Sequence, residues 1–166
     1  MGWSTIRPAM LADSSAPSLL DQPVNGWRAD AKGAMSPADG FLLTSMVLQA
    51  ARADIPWLLD DRRATLRLLA PMDGGKIQGL EIPIAKGLTL TVYAETATGR
   101  IVRSSGVLDT PGMKTNFATD YADFRTIDGV LFPFREGNFA SNQSTGDTVI
   151  TRIVVNPPLE DADFRP

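Results

Sequence analysis

Apolar positions between residues 41 and 53 recur at gaps of three and four. Phe41, Leu42, Met46, Ala50 and Ala53 fall on one broad face, with Leu43 and Val47 beside them. That period predicts a helix. Ser36 is a good N-cap, Pro37 suits the first helical position, and Asp39 approximates the third position of a capping box. Arg52 near the far end suits the helix dipole, and Pro56 stops the helix around Asp54. The expected helix therefore covers 36–55. Before it, Pro8, Pro17 and Pro23 interrupt any regular period, so 1–35 reads as an irregular lead-in.

After Trp57-Leu58-Leu59, an apolar knuckle, and the charged run Asp60–Arg63, the period changes to two. Leu66 and Leu68 alternate with Arg67. Ile82 and Ile84 flank Pro83, which signals an edge or a bulge. In Leu88–Tyr93, Leu88, Leu90 and Val92 share one face and Thr89, Thr91 and Tyr93 the other. Glu95–Arg100 reads as a hairpin loop with Gly99 left-handed. Ile101 starts the return strand and a further strand covers Thr115–Phe124. Asp128-Gly129 is a turn signal between apolar runs, followed by a strand over Val130–Phe139. Asn142–Asp147 reads as a polar loop and Thr148–Val155 as a β-branched strand ended by Asn156-Pro157-Pro158. Leu159 and Phe164 anchor a short tail.

One helix followed by six or seven closely spaced strands predicts an antiparallel meander over 63–166, since parallel crossovers need a dozen residues or more. The fold class is α+β, with the helix laid against the sheet in a single domain, 1–166. The chain length of 166 residues suits one domain.

Composition narrows the chemistry. The chain has no cysteine and no histidine. That excludes disulfides, thiol nucleophiles, thiolate zinc sites, Ser-His-Asp triads and imidazole bases. The net charge of -3 offers no overall basic balance for nucleic acid, and the Arg62-Arg63-Arg67 cluster sits beside Asp60-Asp61. No apolar run approaches the ~20 residues of a membrane-spanning helix, so stable membrane insertion is not expected. Met1–Ile6 lacks a basic region followed by an apolar stretch, so the chain as written reads as soluble and without an export signal.

Candidate motifs give way to structural readings. Met72-Asp73-Gly74-Gly75-Lys76 is followed by Ile77 rather than Ser or Thr, so it is a hairpin turn and not a phosphate loop. Asp109-Thr110-Pro111-Gly112 is a loop. Asp120, Asp123 and Asp128, like Glu160, Asp161 and Asp163, lack the alternation of a calcium loop. No catalytic residue, metal ligand or cofactor is expected, and the protein reads as a non-enzyme. The aromatic set on the strands leaves two arrangements open. One is a closed core between sheet and helix. The other is a sheet curved around the helix with an apolar cavity between them. Phe41, Met46, Leu90, Val92, Phe117, Phe132 and Phe134 would line that cavity.

Three segments carry a family resemblance. Asp120–Arg135, with Tyr121, Asp123-Phe124-Arg125, Ile127-Asp128-Gly129-Val130 and the Phe132-Pro133 pair, resembles a recurrent strand–turn–strand of bacterial outer-membrane lipoprotein-sorting proteins. Val155–Pro166 resembles their usual close, Asn-x-Pro-Leu-x-Asp-x-x-Phe-x-x-Pro. Tyr93–Arg100 resembles their Asp-x-x-Thr-Gly hairpin, with Glu95 in place of Asp. The resemblance implies a LolA-like half-barrel, a curved antiparallel sheet around a helical plug. It implies a periplasmic carrier that holds acyl chains of a lipid or acylated lipoprotein and needs no cofactor. The alternative is a non-catalytic envelope interaction or sensor module with a filled core. The resemblance covers about 66–166, and the family's export signal and further upstream strands have no counterpart here, so the expectation is an N-terminally truncated member.

Overall fold

The structure is a computed structural model that describes residues 26–85, 87–110 and 113–160. A small hairpin comes first: β1 (Trp27–Ala29) pairs antiparallel with β2 (Met35–Pro37). Its turn is held by Asp30, whose carboxylate accepts hydrogen bonds from the backbone N–H of Lys32 (2.8 Å) and Ala34 (2.9 Å). This corrects two expectations. The lead-in 1–35 contains regular structure at its described end, its residues before 26 lying outside the described ones. Ser36 and Pro37 belong to a strand rather than to the start of a helix.

Helix α1 spans Gly40–Ala53, and its N-cap is Asp39, extended at φ -137°. Proline in a short edge strand costs no ladder bond when its nitrogen faces outward, which is why Pro37 fits either role in sequence. Pro56 both ends α1 and opens α2 (Ile55–Asp61), where a missing N–H removes only a donor that has no partner within the helix. Asp54 is the single residue between them. Its N–H bonds Ala50 (3.1 Å) and its carbonyl accepts from Leu58 (2.9 Å). The expected helix 36–55 is thus α1 alone, and the apolar knuckle at Trp57–Leu59 is a second helix.

Seven strands follow in one sheet, in chain order and all antiparallel: β3 (Arg67–Leu68), β4 (Ile77–Ala85), β5 (Leu88–Glu95), β6 (Ile101–Thr110), β7 (Met113–Ile127), β8 (Val130–Ala140) and β9 (Gln143–Val149). The α+β meander expected from the alternation is present. The sheet is not closed, with β3 and β9 at its edges. Pro83 lies where β3 no longer reaches, and the register shifts between Pro83 and Ala85, a bulge as expected. Asp128 and Gly129 both have positive φ (49° and 80°), the tight hairpin geometry that matches strand twist.

The end of the chain differs from expectation. Asn142–Asp147 is not a loop: Ser141 and Asn142, at φ 48° and 64°, make the turn themselves, and Ala140 pairs directly with Gln143. Turning that early places β9 over 143–149, so the expected strand 148–155 ends at Val149. Ile150 donates to the Phe134 carbonyl (2.9 Å), and no strand follows among the described residues.

The core lies between α1, α2 and the first strands of the sheet. Val47, Leu48 and Ala51 of α1, with Ile55 and Leu58 of α2, pack on Ile82, Ile84, Leu88, Leu90, Val92 and Leu108. Four of these, Ile82, Leu90, Val92 and Leu108, are completely occluded. Each such side chain contributes on the order of 1.5–3 kcal/mol by leaving water.

Candidate functional site

Register defines what the helices face. One cross-strand row reads Leu90, Gly106, Phe117, Ala140; the next reads Val92, Ser104, Thr119, Asn138, Gly146. Leu48 lies over Gly106, so closely that a Cβ there would meet its methyls at 2.5 Å. Both rows therefore belong to the face under α1. Along that face the chemistry changes. The β4 and β5 side is aliphatic. From β6 to β9 the face becomes polar.

The polar side is a connected ladder. Ser104 and Tyr121 share a hydrogen bond of 2.7 Å. The Thr119 hydroxyl donates to the Asn138 carbonyl oxygen (2.9 Å), and the Asn138 amide donates to the Thr148 hydroxyl (3.2 Å). Ser104 and Thr119 are buried to 0% and 1% exposure, so those hydrogen bonds replace water they have lost. Arg52 reaches this ladder from the last turn of α1. Its Nη1 donates to Gln49 Oε1 at 2.6 Å, its Nη2 stands 3.5 Å from the Glu136 carboxylate, and its buried Nε has no hydrogen-bond partner.

Between α1 and this part of the sheet is a cavity of about 180 Å³. Leu48, Gln49 and Arg52 line it from the helix, and Phe117, Thr119 and Asn138 from the strands. A wider and more open groove of about 420 Å³ lies along Met72, Ile77, Tyr93 and Val102, with the Arg103–Asp120 ion pair (2.6 Å) also in its lining.

The residues expected to line an apolar cavity do not converge. Leu90 and Val92 are occluded core residues. Phe41, in the first turn of α1, is 37% exposed and its ring lies 6.4 Å from that of Phe117 on β7, tilted by 46°. Phe117 reaches both the core and the 180 Å³ cavity. Met46 is half-buried and faces Gly26, where a Cβ would meet its sulfur at 3.1 Å. Phe134 is buried outside the core cluster, with the Arg125 guanidinium 4.4 Å above its ring, and Phe132 is half-buried on the same strand. Of the seven, the structure joins Phe41 to Phe117 and packs Phe117 against the cluster that holds Leu90 and Val92.

Gln49, Arg52, Thr119, Asn138 and Thr145, the polar residues that line the cavity, were not among the sequence candidates. The signal available was a polar residue at each place where the strand alternation points toward the helix: Thr119, Tyr121, Glu136 and Asn138.

Among the described residues, three carboxyls have displaced acidities, and all lie away from the cavity lining. Burial alone raises Asp54 above the ordinary carboxylate range. The hydrogen bond from Arg100, then that from Thr98, lowers Glu95. The hydrogen bond from Arg125 lowers Asp123. Among the described residues no group of three or more acidic side chains is placed to hold a metal ion, and no helix is long and apolar enough to cross a membrane. No family model, curated protein or solved structure matches the chain.

Proposed function

We propose that the protein acts by binding rather than by catalysis, as an interaction or sensor module of the bacterial envelope with a filled core. The observation that supports this best is the packing under α1. The aliphatic side of the sheet is fully occupied by the protein's own Val47, Leu48, Ala51, Ile55 and Leu58. The space left beside it is about 180 Å³, below the roughly 300–1,000 Å³ of ordinary ligand pockets, and it is polar on one side. An acyl chain has no room there with α1 in place. Trp57, on α2 and 65% exposed, is the kind of large amphipathic side chain that anchors partner contacts.

A second reading is favoured by the same wall. In a LolA-like carrier α1 is the plug, and its displacement would open an apolar trough lined by Leu90, Val92 and Leu108. Acyl chains would then gain about 0.8 kcal/mol per buried CH₂. The Asp128-Gly129 turn, which resembles that of lipoprotein-sorting proteins, supports this reading and a periplasmic setting. Solvent extraction of the purified protein followed by mass spectrometry, together with titration of a fluorescent fatty acid, separates the two. The module predicts no stoichiometric lipid and no saturable uptake; one acyl chain per protein establishes the carrier.

A further inference from the structure

We propose that the groove of about 420 Å³ along Met72, Ile77, Tyr93 and Val102 binds a free α-amino acid with an aromatic side chain. The ligand ring lies along those four residues, its carboxylate meets Arg103 and its ammonium meets Asp120. The groove is on the face of the sheet turned away from α1, so the site stands under either reading of the α1 face.

A bulge makes the groove. Tyr93 pairs with Arg103 and Ala94 with Ile101, so Val102 is an extra residue in β6. Ile101 packs on the core and Ser104 is fully buried, both toward α1. Val102 and Arg103, between them, both turn to the other face and both line the groove. Bulges are over-represented beside functional sites because they re-aim side chains in this way. The opposite wall is the turn that carries Met72 and Ile77, which exchange two backbone hydrogen bonds (2.9 and 3.2 Å). Thr96 holds that turn: its N–H donates to the Lys76 carbonyl (2.9 Å) and its hydroxyl to the Gly75 carbonyl (2.9 Å). The walls are formed before a ligand arrives, which lowers the cost of binding.

Size and lining select the side chain. The volume falls within the roughly 300–1,000 Å³ of ordinary ligand pockets. Tyr93 supplies aromatic surface, and the Met72 thioether makes favourable contacts with rings.

Charge selects the rest of the ligand. Arg103 and Asp120 are direct cross-strand partners joined from Nη1 to Oδ1 at 2.6 Å, and their side chains are 38% and 46% exposed. A guanidinium has five N–H donors and a carboxylate two oxygens, so each can make a second contact without giving up the first. The Phe139 ring, 5.5 Å from the guanidinium, backs Arg103. A ligand with one charge gains one of these partners and stands beside a like charge on the other. A zwitterion satisfies both.

The test is amide-detected NMR of the whole chain titrated with L-phenylalanine, against 3-phenylpropionate, which lacks the ammonium, and phenethylamine, which lacks the carboxylate. The expected result is saturable shifts at Tyr93, Val102, Arg103 and Asp120 with L-phenylalanine, and about fivefold weaker binding of either analogue, the scale of one exposed ion pair. Asp120→Asn should turn the preference toward 3-phenylpropionate, and Arg103→Gln should turn it toward phenethylamine. A pair that only holds the strands together would not redirect selectivity, and either variant decides the matter if the other does not fold. Absence of saturable shifts, equal binding of all three compounds, or an unchanged ranking in the folded variants would overturn the proposal.

Discussion

The face of the sheet beneath α1 has two halves built on different physics. Over β4 and β5 it is aliphatic, and the strands are held to α1 and α2 by burial of Ile82, Leu90, Val92 and Leu108. Over β7 to β9 it is a hydroxyl and amide ladder, Thr119–Asn138–Thr148, approached by one charged side chain, Arg52. The first half gains stability without direction. The second gains little net free energy from each hydrogen bond, but it fixes geometry, because a buried polar group left unpaired is costly. Gly106 lies between them: it admits Leu48 against the sheet, and the cavity opens next to it.

If this division is right, substitutions should separate by half. The largest effect belongs to the aliphatic side. Leu90→Ala should cost about 2–5 kcal/mol in chemical denaturation, because a fully occluded side chain leaves a cavity that α1 cannot collapse into. Gly106→Ala should follow, at about 1–3 kcal/mol, since the added methyl overlaps Leu48. A smaller side chain at 48 should restore part of that loss, and a double-mutant cycle of Gly106→Ala with Leu48→Ala would read the coupling. On the polar side, Thr119→Val should cost only about 0.5–1.5 kcal/mol. Equal losses for Leu90→Ala and Thr119→Val would dissolve the distinction between the halves.

The smallest expected effect is at Asp54, at the break between α1 and α2. Burial raises its pKa in the folded state, so the folded protein holds the proton more tightly than the unfolded chain. The stability this group allows is therefore fully present below the ordinary carboxylate range and declines as pH rises through the folded value. Asp54→Asn should raise the melting temperature slightly at neutral pH and leave it unchanged in acid. A fall at neutral pH would mean that the carboxylate makes a favourable interaction.

The same division explains what could be read from the chain. β5 was legible because Leu88, Leu90 and Val92 alternate against the aliphatic half, and the Asp128-Gly129 turn because its residues tolerate positive φ. β9 was not. Its residues Gln143-Ser144-Thr145-Gly146-Asp147 border the polar half, so alternation toward the helix leaves no hydrophobic trace. Helix α1 was legible from its apolar face, but Pro56 carries one signal for two events, the end of α1 and the start of α2. Of the candidate site residues chosen for apolar character, Leu90, Val92 and Phe117 belong to the core, Phe134 lies beneath Arg125, Phe41 is exposed, and Met46 and Phe132 are half-buried outside the core. Arg52 in isolation fits a helix terminus; only the placement of α1 over β5 and β6 brings its side chain opposite Glu136 and beside Asn138.

The central claim is that the aliphatic half is filled by the protein itself. Native mass spectrometry of the purified chain, before and after incubation with a long-chain fatty acid, tests it most directly. The account predicts one species at the mass of the bare polypeptide in both samples. A stoichiometric acyl adduct, accompanied by faster hydrogen exchange along α1, would contradict it.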